Sequence, residues 1–197
     1  MLRTQVRPAG PGDAAALHDL LAGLSPESAY RRFLVGVGAP SARMVAALLR
    51  RDRTHGAWVC TAGGRLVGHA IWGADDGAAE LGVVVTDAWQ RRGVGRSLTA
   101  AAATEARAHG LSDVRMHVHA RNRSLIRRLS TGATDAVLAD GMVTVTRPLV
   151  DLLGDPSPAP GAVEPWTGAG QVLKVFWARS KPWATRASTA SAARSTW

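Results

Sequence analysis

The chain has 197 residues, 46% of them hydrophobic, and its 24 basic and 15 acidic side chains give a formal net charge of +9. This length suits one domain with a sizeable core, with or without an appendage. The single cysteine, Cys60, excludes an internal disulfide framework, and no apolar run approaches the length of a membrane span. We therefore expect a cytoplasmic protein. The charge alone does not choose among nucleic acid, a membrane surface and a phosphorylated ligand as its partner.

The first part of the chain predicts one short strand and three helices. The strand covers residues 4–7 and ends in a turn rich in Pro and Gly, after which Asp13 is expected to cap the first helix. Ser25, followed by Pro26, is the expected N-cap of the second helix, and Ser41 is the expected N-cap of the third.

The middle of the chain changes to β-structure. Residues 56–62 and 65–73 predict a hairpin around two glycines, and residues 78–86 predict the next strand. A helix is expected from residue 93 to residue 109. The strand after it, 113–120, alternates strictly between apolar and polar residues, which predicts one face in the core.

A helix begun by Asn122 and a hairpin turning at Asp140 and Gly141 complete the pattern. The order predicts an α/β (α+β) domain over residues 1–150, in which helices cover a mixed, largely antiparallel sheet. The composition then changes. Residues 151–197 are rich in Pro, Gly, Ala and Ser, so we expect a mostly disordered tail, although four of the seven tryptophans lie there.

The stretch QRRGVGRSL joins the strand 78–86 to the long helix. A helix N-terminus exposes unpaired backbone N–H groups, glycines let an anion come close to the backbone, and arginines add forked donors, so this loop suits a phosphate. Taken alone, the two glycines are more typical of a tight structural turn than of a phosphate site. Their spacing fits neither a P-loop nor a dinucleotide-binding fingerprint.

The loop and its neighbours together resemble a known family. AELGVVVTDAWQRRGVGRSL, followed by VRMHVHA and RNRSLIRRL, is similar to the central motif of the GCN5-related N-acetyltransferases (GNAT), and the resemblance covers about residues 3–150. More loosely, LSPESAYRRFL and VLADGMVTVTRPL look like the acetyltransferase domains of bacterial protein-lysine acetyltransferases. The resemblance implies central strands that splay apart at a cofactor cleft, with acetyl-CoA as co-substrate.

The resemblance also implies which residues contact acetyl-CoA. The loop would wrap the pyrophosphate, the backbone of the preceding strand would pair with the pantetheine arm, and an asparagine would contact the cofactor where the strands splay. The cofactor-binding residues implied are Val83, Val84, Val85, Gln90, Arg91, Arg92, Gly93, Val94, Gly95, Arg96 and Asn122.

Acetyl transfer to an amine needs a base, because a free lysine with a pKa of about 10.4 is almost entirely protonated at neutral pH. Glu80 is similar in position to the glutamate that is the base in many family members, and we expect it to act through a water. The alternative is a carboxylate at a strand edge in solvent. The family's usual tyrosine after the asparagine is missing, and Tyr30 is expected elsewhere. The acid is therefore left open among Ser124, water and no dedicated group.

The histidines and the cysteine have plainer interpretations. His117 and His119 lie two residues apart on one strand face, but no third ligand occurs at a recognisable spacing. We therefore expect polar surface histidines and no metal site. His69 is expected in the core or in an acceptor pocket, and Cys60 is expected to be a buried packing residue.

The leading hypothesis is an enzyme that moves an acetyl group from acetyl-CoA to a primary amine by direct attack in a ternary complex, with Glu80 as general base. A protein lysine is slightly favoured over a small molecule as acceptor, and no membrane partner is expected. Two alternatives remain. One is a non-catalytic sensor or partner-binding module that binds CoA thioesters. The other is a basic nucleic-acid binder, which ranks last because few aromatic residues accompany the arginines in the folded part.

Overall fold

The computed structural model describes residues 3–33 and 40–153, so the predicted tail lies outside the described residues except for its first three positions. The described strands are β1 (Thr4–Pro8), β2 (His55–Ala62), β3 (Arg65–Asp75), β4 (Ala78–Val85), β5 (Asp113–His119), β6 (Asp135–Ala139) and β7 (Met142–Pro148). The described helices are α1 (Ala14–Ala22), α2 (Pro26–Phe33), α3 (Ala42–Leu48), α4 (Val94–Ala108) and α5 (Arg123–Ser130). Every helix and strand expected over these residues is present.

The strands form one sheet in the order β1-β2-β3-β4-β5-β7-β6. Neighbouring strands run antiparallel, except that β4 and β5 run parallel. The parallel pairing joins only residues 78–80 to residues 113–115. Beyond Glu80, β4 pairs with β3 alone in the described part of the chain, while β5 continues along β7. The predicted mixed, largely antiparallel sheet with splayed central strands is therefore confirmed.

Helices cover both faces of the sheet, and each face has its own core. One core joins α4 and α5 to residues such as Val83 and Met116, and the other joins α1 and α3 to residues such as Val84. Every residue of β4 is buried, which explains why its sequence is almost continuously apolar. No helix in the described ranges has the length and apolar character needed to cross a bilayer.

Three of the four predicted helix caps are confirmed. The side chains of Ser25, Ser41 and Asn122 each accept a hydrogen bond from a backbone N–H in the first turn of the following helix. The predicted cap by Asp13 is wrong. The guanidinium of Arg7 donates to its two oxygens at 2.6 and 2.9 Å and holds the pKa of that carboxyl below its usual value. The Asp13 carboxylate thus binds the charged guanidinium of Arg7 instead of a backbone N–H in the first turn of α1.

Glu105 links α4 to β2 and β3 through hydrogen bonds. Its Oε2 accepts hydrogen bonds from the indole Nε1 of Trp58 at 2.7 Å and of Trp72 at 2.8 Å, and its Oε1 accepts one from Arg51 at 2.5 Å. This cluster fills the space beside Gly56, where a Cβ would overlap both the Trp72 ring and the Glu105 carboxylate. The N-terminus of α4 is therefore presented by a helix with a fixed position on β2 and β3.

Candidate active site

The loop between β4 and α4 turns through two left-handed residues. Residues 87–89 form one 3₁₀ turn, after which Arg91 has a φ of 58° and Gly93 a φ of 82°. Gly93 is the N-cap of α4. A left-handed conformation is costly for arginine, and such backbone strain clusters at functional sites. The turn leads directly into the first turn of α4, whose N–H groups have no acceptor within the helix.

The side chain of Gln90 holds this loop together from within. Its Nε2 donates to the carbonyl of Val85 at 3.2 Å and to Oδ1 of Asp87 at 3.1 Å. Asp87 also accepts a hydrogen bond of 2.6 Å from the hydroxyl of Ser28 and one of 3.2 Å from the backbone N–H of Ser25. Burial raises the pKa of Asp87, but these hydrogen bonds outweigh it and leave the pKa below its usual value. The loop is thus linked to the start of α2.

The outer surface of the loop is positively charged. The side chains of Arg91, Arg92 and Arg96 are exposed, and none of them forms an ion pair with a carboxylate in the described part of the chain. The guanidinium of Arg92 lies 5.2 Å from the centre of the Trp89 ring. Three unpaired guanidinium groups beside a helix N-terminus favour a multiply charged anion such as a diphosphate.

Gly95 leaves room on the helix end for such an anion. A Cβ built on it would meet only Cγ2 of Val85, at an ordinary contact distance of 3.7 Å, and its φ is not in the left-handed region. Neither packing nor backbone conformation in the described structure therefore requires glycine here. The residues present fit a diphosphate that approaches the first turn of α4.

The backbone of β4 is open on the side that faces away from β3. The N–H of Thr86 donates to the carbonyl of Val67 on β3 at 3.0 Å. Because backbone groups alternate in direction along a strand, Val84 also faces β3, while Val83 and Val85 face the edge that β5 has left. The open edge thus offers the N–H and carbonyl of Val83 and the N–H of Val85, because the carbonyl of Val85 already accepts from Gln90. Val84 uses its backbone within the sheet, and Val94 has its side chain in the core.

Glu80 lies where β4 and β5 separate. It is only 7% exposed, and its Oε1 lies 3.1 Å from Nε2 of His117 on β5. Nδ1 of His117 lies 2.9 Å from Oγ1 of Thr144 on β7. The alternative of a carboxylate in solvent is therefore wrong. The expectation of a surface histidine at position 117 is confirmed only in part, because its side chain is 25% exposed but its two ring nitrogens lie against Glu80 and Thr144.

Tyr30 lies beside β5 on the face that carries Glu80. The centre of its ring is 5.8 Å from that of His119, and the residue is 46% exposed. Tyr30 is in α2, outside the helix that follows Asn122, but α2 brings it over this face of the sheet. Sequence reasoning missed Tyr30 and Thr144 as neighbours of this region. The alternation of β5 placed its two histidines on one face, but only the strand register shows what lies opposite them.

Other polar residues have defined structural partners. Asp75 pairs with Arg115 at 3.2 Å, and Asp76 has a φ of 50° in the turn between β3 and β4. His69 is fully buried with its Nε2 2.9 Å from the carbonyl of residue 48, so it is a core residue. Cys60 is fully buried as expected, and burial raises the pKa of its thiol. Across the described ranges, no group of three or more His, Cys, Asp and Glu side chains could hold a metal ion.

Comparisons with solved structures give the same architecture. The GNAT domain of S. lividans PAT is 27% identical, with a TM-score of 0.67, and the match covers 75% of this chain and 93% of that chain. The ribosomal-protein-S18-alanine N-acetyltransferase from Escherichia coli is 17% identical, with a TM-score of 0.57 over 82% of this chain and 100% of that one. The paia N-acetyltransferase from Thermoplasma acidophilum, in complex with coenzyme A, is 13% identical, with a TM-score of 0.60. That match covers 74% of this chain and 99% of the other. At these low identities, the last two matches show a shared fold only.

The sequence comparisons agree with the structural ones at the level of the family. The comparison with curated proteins gives no match. The model of the acetyltransferase (GNAT) family matches residues 26–130, which are more than half of the 197 residues and include α2, β4, the loop, α4, β5 and α5. The chain therefore belongs to the acetyltransferase (GNAT) family.

Proposed function

We propose that this protein transfers an acetyl group from acetyl-CoA to a primary amine by direct attack, with Glu80 as the general base. The observation that carries this proposal is the position of Glu80. It is a buried carboxylate at the last residue of β4 that pairs with β5, and the open backbone edge of β4 begins just beyond it. A base at this point borders the gap in which the proposed cofactor arm and the acceptor would meet.

Acetyl-CoA would be held by the loop and by the open strand edge. Residues 90–96 supply the first-turn N–H groups of α4 and three unpaired arginines for the diphosphate, and Val83 and Val85 supply backbone groups for the pantetheine arm. Asn122 would contact the cofactor from the far side of the gap, while its side-chain oxygen caps α5. When bound, acetyl-CoA supplies the reactive thioester and a thiolate leaving group.

Glu80 would take the proton that the amine loses. An amine must be neutral to attack, and a positioned base contributes roughly 10²- to 10⁴-fold to such a reaction. The proton donor to the departing thiolate stays unassigned. Tyr30 lies on the same face of the sheet and so joins Ser124 and water as a candidate for that role.

The acceptor that we propose is a protein amine, in the first instance a lysine. The support is the resemblance of the α2 and β6–β7 segments to protein-lysine acetyltransferases, and the fold shared with an Escherichia coli enzyme that acts on an alanine of a ribosomal protein. The chain itself has no lysine before Lys174, and its only other lysine is Lys181. Acetylation of the enzyme's own lysines is therefore confined to two known positions.

The test is the substitution Glu80→Gln, which keeps the shape of the side chain and removes its basicity. We expect kcat to fall by about 10²- to 10⁴-fold, with the Kd for acetyl-CoA changed by less than about twofold. The measurements are steady-state release of CoA with a lysine peptide and calorimetry with acetyl-CoA. Asp135→Asn, on the exposed edge strand β6, is the control and should behave as wild type. An unchanged kcat for Glu80→Gln would refute the assignment of the base.

A further inference from the structure

We propose that His117 is a positioning residue for Glu80, with Thr144 fixing the protonation of the histidine ring. This inference rests on the proposed function, because His117 would act on the reaction through Glu80. The assignment gives His117 a role that the sequence did not indicate, since it was expected only to be a polar surface residue.

The three side chains form a continuous row on one face of the sheet. Oε1 of Glu80 lies 3.1 Å from Nε2 of His117, and Nδ1 of His117 lies 2.9 Å from Oγ1 of Thr144. His117 and Thr144 are directly opposite each other in the β5–β7 ladder. The row is therefore built on rigid strands rather than on loops, which is the arrangement that holds a catalytic group most accurately.

The row becomes more exposed away from Glu80. The Glu80 side chain is 10% exposed and the His117 side chain is 25% exposed. Burial disfavours the charged form of a carboxylate, and a hydrogen-bond donor directed at it offsets that cost. His117 lies where it can supply such a donor to Glu80 and hold one carboxylate oxygen in place.

The hydrogen-bond chemistry allows one arrangement of the neutral ring. An ionised Glu80 can only accept, so Nε2 of His117 must carry a hydrogen and donate it to Oε1. Nδ1 of the neutral ring is then an acceptor, and the hydroxyl of Thr144 donates to it. If the ring is protonated, Thr144 accepts instead, and the bond from Nε2 to Glu80 is the same. In both forms His117 fixes one oxygen of the carboxylate.

The kinetic test compares His117→Ala with His117→Gln. Because a hydrogen bond to a charged group is lost, His117→Ala should lower kcat by about 10- to 100-fold, with the KM for acetyl-CoA within about twofold of wild type. His117→Gln places an amide donor near the position of Nε2 and should recover kcat to within about threefold of wild type. A kcat for His117→Ala equal to that of wild type, or a glutamine variant no better than the alanine variant, would overturn the proposal.

The double variant Glu80→Gln/His117→Ala shows whether the histidine acts through the carboxylate. If it does, adding His117→Ala to Glu80→Gln changes kcat by less than about twofold. The same fold-loss in both backgrounds would contradict the positioning role. An active Glu80→Gln variant refutes the base itself, whereas a slow Glu80→Gln variant beside an unimpaired His117→Ala variant refutes only the inference about His117.

A measurement on the resting protein tests the ring directly and needs no acetyl transfer. Proton–nitrogen correlation NMR of protein with isotope-labelled histidine distinguishes the two neutral tautomers. When the ring is neutral, we expect His117 to carry its hydrogen on Nε2. A hydrogen on Nδ1 alone in the wild-type protein would overturn the proposal, whatever the transfer assays show.

Discussion

Gly95 illustrates how one residue can separate folding from binding. Gly95 lies in the first turn of α4, where packing leaves room for a Cβ. A Cβ built there would have one neighbour within 4 Å, Cγ2 of Val85 at 3.7 Å. Gly93 differs, since its φ of 82° strains any other residue. The structure thus assigns a conformational reason to one glycine of the loop and leaves approach by a ligand as the reason for the other.

Gly95→Ala should therefore leave folding intact and weaken acetyl-CoA binding. An alanine suits the first turn of a helix better than glycine, so we expect an unchanged or slightly higher Tm. Its methyl group would stand where the diphosphate approaches, so we expect the Kd for acetyl-CoA to rise by about tenfold or more, which is about 1.4 kcal/mol. Thermal unfolding and calorimetry measure the two effects.

The matched control for this substitution is Gly12→Ala. Gly12 also has open space around its Cβ position and lies outside the left-handed region, but it is in the turn before α1. It should change neither Tm nor affinity appreciably. Equal affinities for Gly95→Ala and wild type would exclude the close approach of a phosphate to this helix end.

The residues around Glu80 could be predicted from the sequence only in part. The motif identified Glu80 itself, and the alternation of β5 placed His117 and His119 on one face. Their partners belong to segments distant in sequence: Thr144 comes from β7 and Tyr30 from α2. Such contacts depend on strand register and on how a helix folds back, and neither leaves a local signal in the sequence.

At the scale of elements, Asp87 joins the loop to α2. Its carboxylate accepts hydrogen bonds from Ser28 and from the backbone of Ser25 in the first turn of α2, and from Gln90 in the loop. One side chain thus fixes the distance between the proposed cofactor loop and the helix that carries Tyr30.

Asp87→Asn should lower the free energy of unfolding by about 1 kcal/mol at neutral pH, a value reduced because the residue is partly exposed. The folded-state pKa of Asp87 lies below its usual value, so its contribution is complete above the unfolded pKa of about 3.9. That contribution is lost as the pH falls through the lower, folded-state pKa. Urea unfolding of both proteins at neutral pH and near pH 3 should therefore show a difference that shrinks in acid.

The control for this prediction is Asp19→Asn on α1, whose side chain is 84% exposed. We expect no measurable change in stability at either pH. A constant difference between Asp87→Asn and wild type across the whole pH range would contradict the idea that the ionised form of Asp87 is what stabilises the link.

The helices and strands could be predicted because their signals are local. Apolar periodicity, the capping side chains of Ser41 and Asn122, and the turn at Asp140 and Gly141 each act within a few residues. Asp13 could not be assigned in this way. Its carboxylate binds Arg7 because β1 places that arginine beside it. This position depends on tertiary structure, which the local sequence does not reveal.

At the scale of the whole molecule, the divergence of β4 from β5 creates the site. The parallel pairing ends at Glu80, so the buried carboxylate and the open backbone edge of β4 occur at adjacent positions on one strand. The helix α4, fastened to the sheet through Glu105, presents its N-terminus at the other end of that edge. Cofactor binding and proton transfer would thus be arranged along the length of a single strand.

The most direct test of this account is transfer of an isotope-labelled acetyl group from acetyl-CoA to a panel of primary amines, read by mass spectrometry. The panel should contain lysine peptides, peptides with a free N-terminal alanine and small polyamines, and Lys174 and Lys181 report self-acetylation. We predict one labelled acetyl group on an amine with the wild-type protein and a rate lower by about 10²-fold or more with Glu80→Gln. Tight binding of acetyl-CoA in calorimetry without label on any amine would contradict the account and favour a non-catalytic sensor.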